Sequence, residues 1–306
     1  MIYPKKLNRG DTVGIICPSS PITEERKAQC VSALESLGYK VKAADNLTHN
    51  HGGYMAGSGR ERGMWINRMF ADPEVDAIFC VRGGDGGSRC MEYIDLDIVR
   101  NNPKIFVGYS DITSMHMYFN QKAGLVTFHG PMVSSNIVDK FDEETSAAFF
   151  SALCGEDHYD FVNPAGIPVK VMKEGRAAGP VIGGNLSLIS AAMGTPYEMD
   201  SKGKIVFIEE VSESITKIEK WMYHLKNAGK FKDCAGILLG QFTDITNSDM
   251  PEYTVIDCIS EILADVSAPV MYDLQSGHGE KIITVPFGTN CSMDTESGTL
   301  RFEICR

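Results

Sequence analysis

A chain of 306 residues, 43% of them hydrophobic, is long enough to bury at least one full core, so folding needs neither disulfide nor metal staples. Its net charge of −11, with no cluster of Lys or Arg, excludes nucleic acid as a natural partner, because nothing is present to displace phosphate counterions. Lys5 and Lys6 are not followed by an apolar segment, and later apolar runs are only strand-length, so the expectation is a protein that is neither exported nor membrane-spanning.

In the first half, apolar runs at residues 12–17, 39–43, 76–81, 104–107 and 125–128 alternate with helical patterns. That rhythm predicts an α/β fold with a parallel sheet covered by helices on both faces. The first helix carries its own punctuation, with Ser20 as N-cap, Pro21 at the first helical position, Glu24 and Glu25 in the first turn, and Gly38 just past the end. Nine cysteines are scattered without any Cys-x-x-Cys pair and read as reduced, buried hydrophobes, which points to the cytoplasm.

Strand 76–81 leads into Arg82-Gly83-Gly84-Asp85-Gly86-Gly87-Ser88. No Gly-Lys-Ser/Thr follows, and Arg89 stands where a dinucleotide loop needs its third glycine, so no nucleotide cofactor is implied. Adjacent glycines instead let a backbone N–H point into a cleft as one donor of an oxyanion hole.

Strand 104–107 runs through Gly108-Tyr109-Ser110 into a helix whose Ile112, Met115 and Phe119 share a face. Ser110 stands at that helix N-terminus, where free N–H groups and the helix dipole favour developing negative charge. The turn resembles half of the Gly-x-Ser-x-Gly elbow, with Ile112 in place of the last glycine. The hydroxyl serves equally well as a helix cap. As a nucleophile it needs a base, and the N–H of Asp111 would be the second oxyanion donor.

Residues 157–175 are rich in Pro, Gly and polar side chains without a sustained period, so the boundary between a first domain, 1–156, and a second, 176–306, falls there. The second half reads as strand 178–182, helix 186–193, strand 204–208, helix 215–228 and strand 235–239. Helix 255–263, strands 270–274 and 282–285, and a hairpin through Glu296-Ser297-Gly298 complete it.

Strand 204–208 ends in Glu209-Glu210. Ligand sites of parallel sheets lie beyond strand carboxyl ends, so Glu209 is where an acid that orients a base would stand; an exposed pair of carboxylates is the alternative. Of seven histidines, His278 stands out because Gly277 and Gly279 flank it on a loop, where ring and backbone can approach a second domain closely. A turn histidine without chemistry is equally compatible with that pattern. No spacing of Cys and His suits zinc, so no metal is expected.

Taken together, Gly14-Ile-Ile-Cys-Pro-Ser-Ser20, Arg82-Gly-Gly84, Pro103-Lys-Ile-Phe-Val-Gly-Tyr-Ser-Asp-Ile-Thr113, His129-Gly-Pro131, Gly183-Gly-Asn-Leu186, Ile208-Glu-Glu-Val211, Gly240-Gln-Phe242 and Gly277-His278 resemble, in order and spacing, the LD-carboxypeptidases of the serine peptidase class. That family includes murein tetrapeptide carboxypeptidases and microcin C self-immunity peptidases. The resemblance implies a flavodoxin-like N-terminal domain, a smaller C-terminal β/α/β domain, a site between them and a homodimer. It also implies Ser110 as nucleophile, Glu209 as orienting acid, His278 as base, and Gly84 and Asp111 as oxyanion-hole N–H donors.

The implied reaction is hydrolysis of the L,D-peptide bond before the terminal D-alanine of a muropeptide, without cofactor. Asp85 after Arg82-Gly-Gly84 follows the microcin-immunity branch, whose substrate is an aminoacyl-nucleotide amide, whereas residues 189–197 and 220–242 look more like the murein branch. A non-catalytic metabolite-binding α/β protein and an amidase using Cys17 or Cys80 are the readings from other classes.

Overall fold

The computed structural model describes residues 1–155 and 157–304. Its first half runs β1 (Thr12–Ile16), α1 (Glu24–Ser36), β2 (Lys40–Ala43), α2 (Gly59–Ala71), β3 (Ala77–Cys80), α3 (Leu96–Asn101), β4 (Ile105–Gly108), α4 (Thr113–Tyr118), β5 (Thr127–His129) and α5 (Glu143–Cys154). The second continues with β6 (His158–Phe161), β7 (Lys170–Lys173), β8 (Arg176–Asn185), α6 (Leu186–Ala191), β9 (Ile205–Val211), α7 (Ile215–Asn227), β10 (Gly236–Thr243) and α8 (Val255–Ile262). It closes with β11 (Val270–Tyr272), β12 (Val285–Phe287), β13 (Asn290–Asp294) and β14 (Thr299–Glu303).

Two sheets result, ordered β12-β5-β4-β3-β1-β2 and β6-β14-β13-β8-β9-β10-β11-β7. In the first, β2, β1, β3, β4 and β5 are parallel, the flavodoxin-like order expected of the N-terminal half. Its central strands β3 and β4 are apolar at every position because helices cover both faces. The second sheet has a parallel centre, β8 to β11, with antiparallel strands on both flanks.

Three local expectations are corrected. Helix α1 begins at Glu24 with Thr23 as its cap, because the Ser20 hydroxyl is engaged elsewhere, accepting from the Asp85 N–H at 3.4 Å. Residues 157–175 are not a structureless connection: β6 pairs with β14 and β7 with β11. In β6, Tyr159 and Phe161 alternate inward, a period too short to recognise without the partner strand. The strand foreseen at 282–285 forms instead at Val285–Phe287 and crosses into the first sheet beside β5. Among the described residues, no helix is long and apolar enough to cross a membrane.

Candidate active site

Strand β4 ends on Gly108, where a Cβ would lie 2.9 Å from the Ile112 side chain. The chain then turns sharply, and Ser110 sits at φ 66°, in the left-handed region that costs a non-glycine residue about 1–2 kcal/mol. The Ser110 hydroxyl accepts from no N–H of the turn that follows, and neither that turn nor α4 has a side-chain cap, so the capping alternative is not realised. Ile112, Met115 and Phe119 are all buried, as their shared face predicted, and they pin the turn from below.

The loop after β3 passes directly across the serine. A Cβ on Gly83 would lie 2.8 Å from Ser110 Cβ and 3.0 Å from Oγ, so only glycine permits the approach. Gly84, at φ 125°, faces Ser20 with no space for a side chain. The N–H groups of Gly84 and Asp111 donate to no described residue and remain free for a ligand.

The sequence pattern marks only the backbone N–H of Asp111, yet its buried carboxylate joins three loops. Oδ2 accepts from Ser19 Oγ at 2.5 Å and from the Gly87 N–H at 2.6 Å. Burial raises the Asp111 pKa, opposed by these two donors. No local signal announces the role, because the partners are 92 and 24 positions away.

Arg62 completes the cradle. It is 1% exposed and donates to the Pro18 and Gly57 carbonyls and, at 2.8 Å, to the Gly86 carbonyl. Burial lowers its pKa, with the Asp111 charge among the opposing influences. Arg62→Leu leaves the buried Pro18 and Gly57 carbonyls without this donor, while the Gly86 carbonyl keeps the Arg89 N–H, and is expected to reduce the unfolding free energy by about 3 kcal/mol, read from urea denaturation midpoints.

Strand β9 carries Glu209 and Glu210 at its end, and both are buried, so the exposed-pair alternative fails. Glu210 turns to α6, accepting from Asn185 Nδ2 at 2.6 Å and the Ser187 N–H at 2.8 Å. Glu209 turns to the loop after β11, where His278 Nδ1 lies 2.7 Å from its Oε2.

A Cβ on Gly277 would lie 3.0 Å from that oxygen, which explains one of the flanking glycines. The His278 side chain is 15% exposed, and its ring packs edge-on against Tyr109, the neighbour of Ser110, with centroids 4.9 Å apart. Burial alone would lower the imidazole pKa. The Glu209 charge and hydrogen bond, with the Glu210 charge behind them, outweigh it, and the net shift is upward.

Burial lowers the His116 pKa to about 4 and holds His129 well below the usual imidazole range, while His49 meets Glu61 at the surface. Cys17 and Cys80 are buried, and burial pushes both thiols up, against use as nucleophiles. Among the described residues, no group of three or more His, Cys, Asp or Glu could hold a metal ion. A cavity of 1430 Å³ lies between the 162–169 segment and the β13–β14 flank, away from these residues.

The chain matches the family models for the LD-carboxypeptidase N-terminal domain over residues 13–130 and the LD-carboxypeptidase C-terminal domain over residues 178–293. A Bacillus subtilis protein described as a probable murein peptide carboxypeptidase is 37% identical, covering 98% of this chain and 94% of its own. The microcin C7 self-immunity protein MccF of Escherichia coli is 28% identical over 94% of this chain and 92% of its own. A solved muramoyltetrapeptide carboxypeptidase from Oxalobacter formigenes superposes with TM-score 0.84 at 25% identity, covering 96% of this chain and 99% of that one. With both halves of the sequence matched in order and a relative at 37% identity spanning nearly its whole length, the chain belongs to the LD-carboxypeptidase family of peptidases.

Proposed function

We propose that this protein is a cytoplasmic serine carboxypeptidase that hydrolyses the L,D-peptide bond before the terminal D-alanine of a murein tetrapeptide, for cell-wall recycling. The observation that carries the reading is the 2.7 Å bond from Glu209 to His278 Nδ1, with the ring held against the neighbour of Ser110. That bond leaves Nε2 as the basic nitrogen. Cys17, Cys30, Cys80, Cys90, Cys234, Cys258 and Cys291 form no disulfide among the described residues, which supports a reducing compartment. The family resemblance supports action as a homodimer.

His278 Nε2 takes the proton of Ser110 as its Oγ attacks the amide carbonyl, and the N–H groups of Gly84 and Asp111 receive the oxyanion. His278 then returns the proton to the amine of D-alanine, which leaves. Water, deprotonated by the same nitrogen, releases the acid and restores Ser110. The serine hydroxyl bonds to no described residue in this structure; catalytic hydrogen bonds of this kind often tighten only in the substrate complex.

A second reading is favoured by one residue, the exposed Asp85 in the loop beside Ser110: hydrolysis of an aminoacyl-nucleotide amide. Turnover of the purified protein on muropeptide tetrapeptide, on pentapeptide and on an aminoacyl-sulfamoyl nucleotide separates the two. Release of D-alanine from the tetrapeptide at a kcat/KM at least about 100-fold above the other two is expected for a site that discriminates by its binding pocket. Preference for the nucleotide would overturn the murein reading.

A further inference from the structure

His278 rides on a segment, residues 273–284, that contains neither helix nor strand. Glu209 orients its ring, but a base on an irregular loop is pre-organised only if the backbone is held as well. Building on the triad reading above, we propose that Gln241 is a positioning residue that clamps this loop from both sides of His278.

Gln241 lies on β10, next to the strand that carries Glu209. Pairing of β9 with β10 shifts register between Leu239 and Phe242, and irregularities of this kind re-aim side chains. The Gln241 main-chain N–H donates to the Ser276 carbonyl at 3.0 Å. Its Oε1 accepts from the Gly279 N–H at 2.7 Å. Its Nε2 donates to Gln275 Oε1 at 3.0 Å and to the Lys281 carbonyl at 3.3 Å. One residue thus grips the loop before and after His278, and the pattern demands an amide: a donor for two oxygens and an acceptor for one N–H.

The same contact accounts for Gly279. Its φ is not in the left-handed region, so backbone freedom is not the reason for glycine there. A Cβ on Gly279 would instead run into the Gln241 amide, and one on Gly277 would lie 3.2 Å from Gln241 Cβ. Gly-His-Gly is therefore cut to fit Gln241 as well as Glu209.

The test is a set of variants assayed on the tetrapeptide, with kcat expressed per serine labelled to completion by a fluorophosphonate. Gln241→Leu is expected to lower kcat about 50-fold while KM stays within about threefold, the signature of a misplaced base rather than lost binding. Gln241→Glu keeps the acceptor for Gly279 but turns an oxygen toward the Gln275 and Lys281 oxygens, so it is expected to recover only part of that loss. Gly279→Ala alone should cost as much as Gln241→Leu, whereas adding it to Gln241→Ala should cost less than about twofold more, because the collision is gone.

Wild-type kcat per labelled site in Gln241→Leu, or additive losses in the Gly279→Ala and Gln241→Ala pair, would overturn the clamp. His278→Ala in the same assay keeps the two ideas apart. If it is inactive while Gln241→Leu is normal, only the clamp fails; if it is fully active, the triad itself fails.

Discussion

Ser110→Ala is expected to lower kcat on the tetrapeptide by about 10⁵-fold, leaving only the turnover that binding and the oxyanion donors support without a nucleophile. KM should change little, because the hydroxyl is used in the transition state rather than to hold the ground state. Covalent labelling by a fluorophosphonate should disappear with it. Wild-type turnover in Ser110→Ala would remove the serine mechanism altogether.

The same position predicts an opposite effect on folding. Ser110 sits at φ 66°, which glycine adopts without steric cost. Ser110→Gly, equally inactive, is expected to be more stable than wild type by about 1 kcal/mol, read as a rise in Tm.

Glu209→Gln is expected to cost about 10⁴-fold in kcat with little change in the fold around it. The carboxylate accepts from Nδ1 and so keeps the ring proton away from Nε2. A glutamine can present its amide donor to Nδ1, which puts the proton on Nε2 and leaves the ring unable to take one from Ser110.

The pH profile moves as well, and its sign follows from the charge. His278 must be neutral to act as base, and Glu209 holds its pKa above the ordinary 6.5. The acid limb of kcat/KM in the wild type is therefore expected above 6.5, with activity rising as pH passes through it. In Glu209→Gln burial is no longer opposed by the largest attraction, and the residual limb should move to lower pH. An unmoved limb would mean that another group controls the rate.

Linkage gives the stability counterpart. A histidine whose folded pKa is raised stabilises the fold fully below its unfolded value, and that contribution is lost as pH rises through the folded value. The wild type should accordingly lose this small increment over the same interval in which it gains activity. Urea midpoints measured across that interval for wild type and His278→Ala would isolate it.

Much of this site was legible along the chain. Apolar runs alternating with helical patterns predicted the parallel sheet, and the turn after β4 placed a serine at a helix start. Glu209 was singled out by its place at a strand end and His278 by the glycines around it, with the family resemblance implying their roles. Each of these signals is local, a matter of residue type and spacing within a few positions, so sequence alone carries it.

What the tertiary structure decided depends on pairs far apart in the chain. Tyr159 and Phe161 belong to a strand only because β14, some 140 positions on, supplies the partner edge; Arg301 and Asp160 pair across it at 141 positions. Strand β12 left the second half for the first sheet because β5 offered an open edge there. The Asp111 carboxylate, the Arg62 guanidinium and the Gln241 amide carry no mark in their neighbourhoods. Their roles exist only once separate loops converge and buried polar groups must find partners, since an unpaired one would cost more than the contact it replaces.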